Sequence, residues 1–126
     1  MSLETPLHKV EGLGSAHSGV KHFWRQRVTA AALIPLSIWF AVSVIGLVGA
    51  NAPSTLAFLQ HPLNALLMAA FVIILLYHMV LGVQVVIDDY IYTNWQKVAS
   101  MFLLWAFALA IGATCLFALM RIAGPL

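Results

Sequence analysis

Three apolar runs, each about as long as a bilayer's hydrocarbon is deep, constrain this chain more than any other feature. They extend roughly over residues 28–50, 63–87 and 98–122. About 20 apolar residues in a helix rise some 30 Å, the thickness of the hydrocarbon core. In lipid the backbone must satisfy its own hydrogen bonds, so each run is predicted to be a helix and the chain an all-α membrane protein with three transmembrane helices. A chain of 126 residues has room for little else. Charged residues are only 8% of it, against about a quarter in a soluble domain, which excludes a soluble globular reading. Two parts follow: residues 1–27, an N-terminal segment with a basic interfacial collar, and 28–126, a three-helix anchor. Pro53 and Pro62 bracket the first connection, which is expected to be a short interhelical loop.

Orientation follows from lysine and arginine. Lys9, Lys21, Arg25 and Arg27 all precede the first span, and Lys97 lies between the second and third. The connection from Asn51 to His61 carries no charge, and the far end has only Arg121. The positive-inside rule places the N-terminus in the cytoplasm and the C-terminus in the periplasm. Glu4, Glu11 and the absence of arginine before Arg25 argue against a mitochondrial transit peptide, and no compact apolar region precedes a cleavage site. A multi-pass protein of a bacterial cytoplasmic membrane is expected, with an irregular lead-in from Gly12 to Gly19. The single cysteine, Cys115, can form neither a disulfide framework nor an iron–sulfur site, and reads as a small core or lipid-facing residue. The surroundings expected are lipid and other protein chains, not nucleic acid.

Within the second span one histidine stands out. His78 lies about nine residues from the cytoplasmic end of its run, roughly 14 Å by helix rise. Asp89 follows eleven residues later, about three turns and some 16 Å along the same helix face. The plain reading of His78 is a core histidine hydrogen-bonded to a neighbouring helix. The functional reading is a haem ligand, since an intramembrane ionisable residue is a site candidate and iron is a natural acceptor for neutral imidazole. Gly82, one turn on, would leave a bare surface for a flat macrocycle. Met79 points about 100° away and is a poor second ligand. His8, His17, His22 and His61 lie before the first span or at the outer mouth of the second. A second axial ligand must then come from another chain, which makes a partner obligatory.

Asp88, Asp89 and Tyr90 close the second span. They can be a solvated helix end with an interfacial tyrosine, yet carboxylates sit poorly against the negative end of a helix dipole. A tyrosine hydroxyl can hydrogen-bond a quinone carbonyl, and a neighbouring aspartate can relay its proton. The collar from Lys21 to Arg27 is what any positive-inside protein shows; Arg27, the deepest, is suited to a haem propionate, with Lys21 or His22 assisting. Pro35 is expected to kink the first span. Gly46 with Ala50, and Ala108 with Gly112, are small-residue pairs that permit close helix approach. Tyr92, Trp95 and Gln96 read as interfacial anchors, and Trp39 and Trp105 as lipid or helix contacts.

The spacing His78-x10-Asp89-Tyr90 on the second of three spans, Gly82 after the histidine, and Gly19-Val20 before a collar ending Arg27-x-Thr29-Ala30 resemble one known family. It is the hydrophobic membrane-anchor subunit of succinate dehydrogenase, respiratory complex II, with its cytochrome b-type haem. The three-span topology covers most of the chain; the specific motifs cover about two dozen residues. The resemblance implies that His78 is one axial ligand of haem b, that Tyr90 hydrogen-bonds the quinone (ubiquinone is expected) with Asp89 supporting it, and that Arg27 lies near the haem propionates. It implies a separate cytochrome b subunit that supplies the second haem ligand and part of the quinone pocket. An iron–sulfur subunit would complete that pocket, and a flavoprotein subunit would oxidise succinate, for which this chain carries no catalytic residue. The expected function is the anchor of succinate:quinone oxidoreductase, joining the tricarboxylic acid cycle to electron transport. A fumarate reductase anchor and a non-redox structural subunit of another membrane complex are the alternatives.

Overall fold

The structure, a computed structural model, describes residues 5–7 and 17–124. His8, Lys9 and most of the lead-in from Gly12 lie outside the described residues. The helices described from residue 17 onward are, in order, α1 (His17–Gly46), α2 (Ala52–Gln60), α3 (Pro62–Tyr90) and α4 (Asn94–Ala123). Among the described residues there is no strand. Helices α1, α3 and α4 are each long and apolar enough to cross a membrane. At 1.5 Å per residue they rise about 43–45 Å, so they continue beyond the ~30 Å hydrocarbon into the headgroup layers. That is why α3 and α4 outrun the expected spans: hydropathy registers only the part of a helix that lies in hydrocarbon. Helix α1 departs from expectation at both ends. It starts inside the expected irregular lead-in, crosses the basic collar without a break and stops at Gly46 rather than residue 50. There the winding tightens, with Val48 N–H donating to the Ile45 carbonyl and Ala50 N–H to that of Leu47. Gly49 then takes φ +79°, a conformation open to glycine and strained for other residues.

The first connection is not a plain loop but the short helix α2. The Asn51 side chain accepts hydrogen bonds from the Ser54 backbone N–H (3.0 Å) and hydroxyl (2.7 Å), capping the helix. Pro53 occupies the first turn, where a missing N–H costs nothing. Pro62 requires an extended residue before it, and His61 obliges at φ −67°, ψ 124°, ending α2 and opening α3.

Helix α3 is central, packing against both α1 and α4, and α2 lies against α3 and α4; among the described residues the backbones of α1 and α4 do not approach closely. Phe40 of α1 stacks on Phe71 of α3 with ring centroids 4.8 Å apart, and Trp39 stacks on Phe58 of α2 at 6.4 Å. The expected Ala108–Gly112 pair does form the close approach of α4 to α3. Ala108 is buried, and a Cβ added at Gly112 would lie 3.2 Å from Leu76 Cδ1. The Gly46–Ala50 pair does not act this way, because Ala50 lies beyond α1 and Gly46 meets open space. Pro35 sits inside α1, which continues through it. The buried apolar residues are few: Leu33, Phe71, Val80, Leu81, Ile87 and Ala108 among those described. Large side chains such as Ile45, Phe102 and Leu109 are exposed, and so is Cys115.

Candidate functional site

His78 stands half-buried where α3 meets α1. Its Nδ1 lies 2.8 Å from the Thr29 hydroxyl oxygen and its Nε2 lies 3.5 Å from the Gln26 amide nitrogen. Gln26 and Thr29 share a face of α1 with His22 and Leu33, the spacing that one helical stripe requires. The antiparallel register is tight: Thr29 meets His78, and a Cβ at Gly82 would come 3.6 Å from the Gln26 amide. Continuing along both helices, His22 falls about level with Val85 and Val86, and Gly19 about level with Asp89. The 3.6 Å distance at Gly82 is ordinary contact with the tip of a flexible side chain, so the surface bared by Gly82 borders the Gln26 amide.

Among the described residues, two polar atoms in this stripe are buried without a hydrogen-bond partner: His22 Nε2 and Gln26 Oε1. Buried polar groups are nearly always paired, so two orphans about one turn apart set this stripe apart from an ordinary packed helix face. The hydrogen-bonded core reading of His78 is half realised. One ring nitrogen is held firmly within the chain, while the other has only a long contact.

Along α3 the apolar run continues for about nine residues past His78. Across the contact, Thr29 is the second residue of the apolar run of α1, and Arg25 and Arg27 come just before it, so the apolar runs of the two helices are offset at this level.

The remaining predicted residues are not gathered around His78. Arg27 is exposed one position around α1 from Gln26, its guanidinium 5.1 Å above the Phe23 ring. It shares the histidine's level but not its face. Asp89 and Tyr90 are exposed at the end of α3, Tyr90 by 78%. Asp88 is engaged instead by Lys97 of α4 at 3.1 Å. Tyr77 turns to the other side of α3, lining with Val80, Trp105, Ala108 and Gly112 an apolar groove of about 360 Å³ against α4. Tyr92 and Trp95 are exposed at the same end as Tyr90, as interfacial anchors would be. Sequence reasoning missed Gln26 and Thr29 as the partners of His78. The stripe from His22 to Leu33 was visible, but not which helix it faces.

The side chains fit a b-type haem in part. His78 offers a ring nitrogen with no firm partner, and exposed Arg27 can meet a carboxylate. Among the described residues no second histidine lies level with His78: His22 is some 10 Å along the stripe by helix rise, and His61 is at the opposite end of α3.

Known proteins supply the remaining context. Residues 1–120 match the model of a family described as the succinate dehydrogenase/fumarate reductase transmembrane subunit. The succinate dehydrogenase hydrophobic membrane anchor subunit of Paracoccus denitrificans is 38% identical over 117 residues, 93% of this chain and 90% of its own length. The protein of the same description from Rickettsia bellii (strain RML369-C) is 37% identical over 86 residues, 68% of this chain and 69% of its own. The succinate dehydrogenase membrane anchor subunit of Reclinomonas americana is 30% identical over 97 residues, 75% and 81% of the two chains. No solved structure matches. The resemblance drawn from His78, Asp89 and Tyr90 thus extends along nearly the whole sequence. With three apolar helices in the order that sequence dictates, the chain belongs to the succinate dehydrogenase/fumarate reductase transmembrane subunit family.

Proposed function

We propose that this chain anchors a succinate:quinone oxidoreductase in a bacterial cytoplasmic membrane, holds a haem b jointly with a partner membrane protein, and forms part of the quinone-reduction site. The observation that carries the reading is the state of His78: Nδ1 anchored on Thr29, Nε2 without a firm partner. It stands on the helix whose end exposes Asp89 and Tyr90. The basic end of the bundle is the cytoplasmic one, by the distribution of Lys21, Arg25, Arg27 and Lys97. A haem bound there supplies a one-electron store near the quinone.

The roles of the chain's own residues follow from their chemistry. His78 Nε2 would hold the iron of a bound haem, and Arg27 would meet a carboxylate of that haem. The Tyr90 hydroxyl donates a hydrogen bond to a quinone carbonyl oxygen, which becomes more basic as the ring is reduced. Asp89, exposed beside it, passes protons from water toward the quinol oxygen. Two electrons and two protons convert quinone to quinol, and the electrons come from partners, since this chain has one cysteine and cannot hold an iron–sulfur cluster. A cytochrome b subunit, an iron–sulfur subunit and a flavoprotein subunit make up the rest of the assembly, with ubiquinone as the acceptor. The family description spans fumarate reductases as well. The potential of the physiological quinone separates the two directions.

The test is His78→Ala in the assembled complex, read by a reduced-minus-oxidised absorption spectrum. Loss or marked alteration of a low-spin b-type band is expected. An unchanged band would remove His78 from the ligand set.

A further inference from the structure

We infer that Thr29 is the positioning residue of His78: its hydroxyl accepts the Nδ1–H of the imidazole and so holds the ring in the tautomer that leaves Nε2 free as a ligand. The inference rests on the proposed role of His78 toward haem iron, but the tautomer itself follows from three distances. The Thr29 hydroxyl oxygen lies 2.8 Å from the Arg25 carbonyl oxygen, 3.0 Å from that of Gln26 and 2.8 Å from His78 Nδ1. Two oxygens at 2.8 Å need a proton between them, and a threonine hydroxyl has one proton. That proton is committed to the helix's own carbonyls. The hydroxyl can then only accept from His78, so the proton in the second short contact belongs to Nδ1.

A neutral imidazole with its proton on Nδ1 has its lone pair on Nε2. The Gln26 contact agrees, because an amide nitrogen donates, and it approaches Nε2 at 3.5 Å. The reversed amide would set an oxygen lone pair against the ring's own, which explains why Gln26 Oε1 is left without a partner. Gln26 is thus a weak, displaceable cover over the ligating nitrogen, whereas Thr29 is the fixed anchor behind it. Hydrogen bonding of the distal N–H to an acceptor orients a metal-bound histidine and raises its basicity, which favours the ferric state of an iron it ligates.

The experiment compares Thr29→Val and Thr29→Ser with wild type in the fully assembled complex. Valine keeps the shape and removes the acceptor; serine restores it. Thr29→Val is expected to raise the haem midpoint potential in a redox titration and to weaken haem retention on the order of 10-fold, while Thr29→Ser stays at the wild-type values. A Thr29→Val complex with wild-type potential and retention would overturn the inference. A uniform loss of assembly in both variants would also do so, by showing a purely structural role. His78→Gln, run in parallel, separates the two readings. If the b-type signal survives it, His78 is not the ligand. The ¹⁵N spectrum of the histidine-labelled, reduced complex then still shows whether the His78 ring carries its proton on Nδ1 and loses that preference in Thr29→Val.

Discussion

Asp88 and Asp89 are adjacent in sequence, yet the fold gives them different surroundings. The Asp88 carboxylate pairs with the Lys97 ammonium at 3.1 Å, and the same ammonium lies 3.5 Å from the Asp88 carbonyl oxygen. A cation at the C-terminal carbonyls of α3 offsets the dipole that makes carboxylates unwelcome there. With the two side chains 37% and 56% exposed, the pair contributes at most about 1 kcal/mol. Asp88→Asn is therefore expected to lower the thermal midpoint of the complex slightly and to leave quinone reduction intact. Asp89→Asn should do the reverse, with stability unchanged and quinone reductase turnover down on the order of 100-fold, the usual scale for losing a proton-transfer group. Equal effects of the two substitutions would contradict this division. Tyr90→Phe keeps the exposed ring and removes only the hydroxyl. Quinone reduction should fall while succinate oxidation with an artificial acceptor survives, and normal activity on both acceptors would take Tyr90 out of the quinone site.

Among the elements, the contact of α4 with α3 is the one most sensitive to a single side chain. A Cβ at Gly112 already comes 3.2 Å from Leu76, so the branches of Gly112→Val would push the helices apart at buried Ala108. Overpacking of this kind costs roughly 1–3 kcal/mol. Thermal denaturation of the detergent-solubilised complex should show it as a lowered midpoint. Gly46→Ala is the control: its Cβ meets nothing within 4 Å of this chain. Near the end of α1 it should be neutral or stabilising by up to about 1 kcal/mol, since alanine has the better helix propensity. A destabilised Gly46→Ala complex would mean that a partner helix packs on that surface.

For the molecule as a whole, the three long helices bury little against one another, and much of their apolar surface faces outward. In a membrane that surface meets lipid and, in the proposed assembly, a partner membrane chain. Orientation can be checked directly, because replacing Cys115 leaves a chain without cysteine. In a Cys115→Ser background, Ser54→Cys in α2 should react with a membrane-impermeant maleimide in cells whose outer membrane alone is permeable. Gln96→Cys at the start of α4 should react only after the inner membrane is opened. The opposite pattern would invert the assigned topology.

The fold class and the three spans were legible in the sequence because they depend on local quantities: the length of an apolar run and the need of a backbone in lipid to bond to itself. The family was legible for a related reason. His78, Asp89 and Tyr90 lie on one helix, so their spacing alone carries the motif. Helix ends were less legible, since a helix passes into the headgroups without a change that hydropathy records, and α2 depended on the Asn51 cap within a connection that read as a loop. Only tertiary structure decided what His78 touches. Thr29 and Gln26 are 49 and 52 residues away from it in sequence, and their meeting rests on the rotation and register of two helices about each other. No local pattern encodes that register; it rests on contacts between the helices such as Phe40 on Phe71. The same register set His78 against Thr29, just inside Arg25 and Arg27 on α1, because position in a bundle is shared between helices and a single strip of sequence records only one of them.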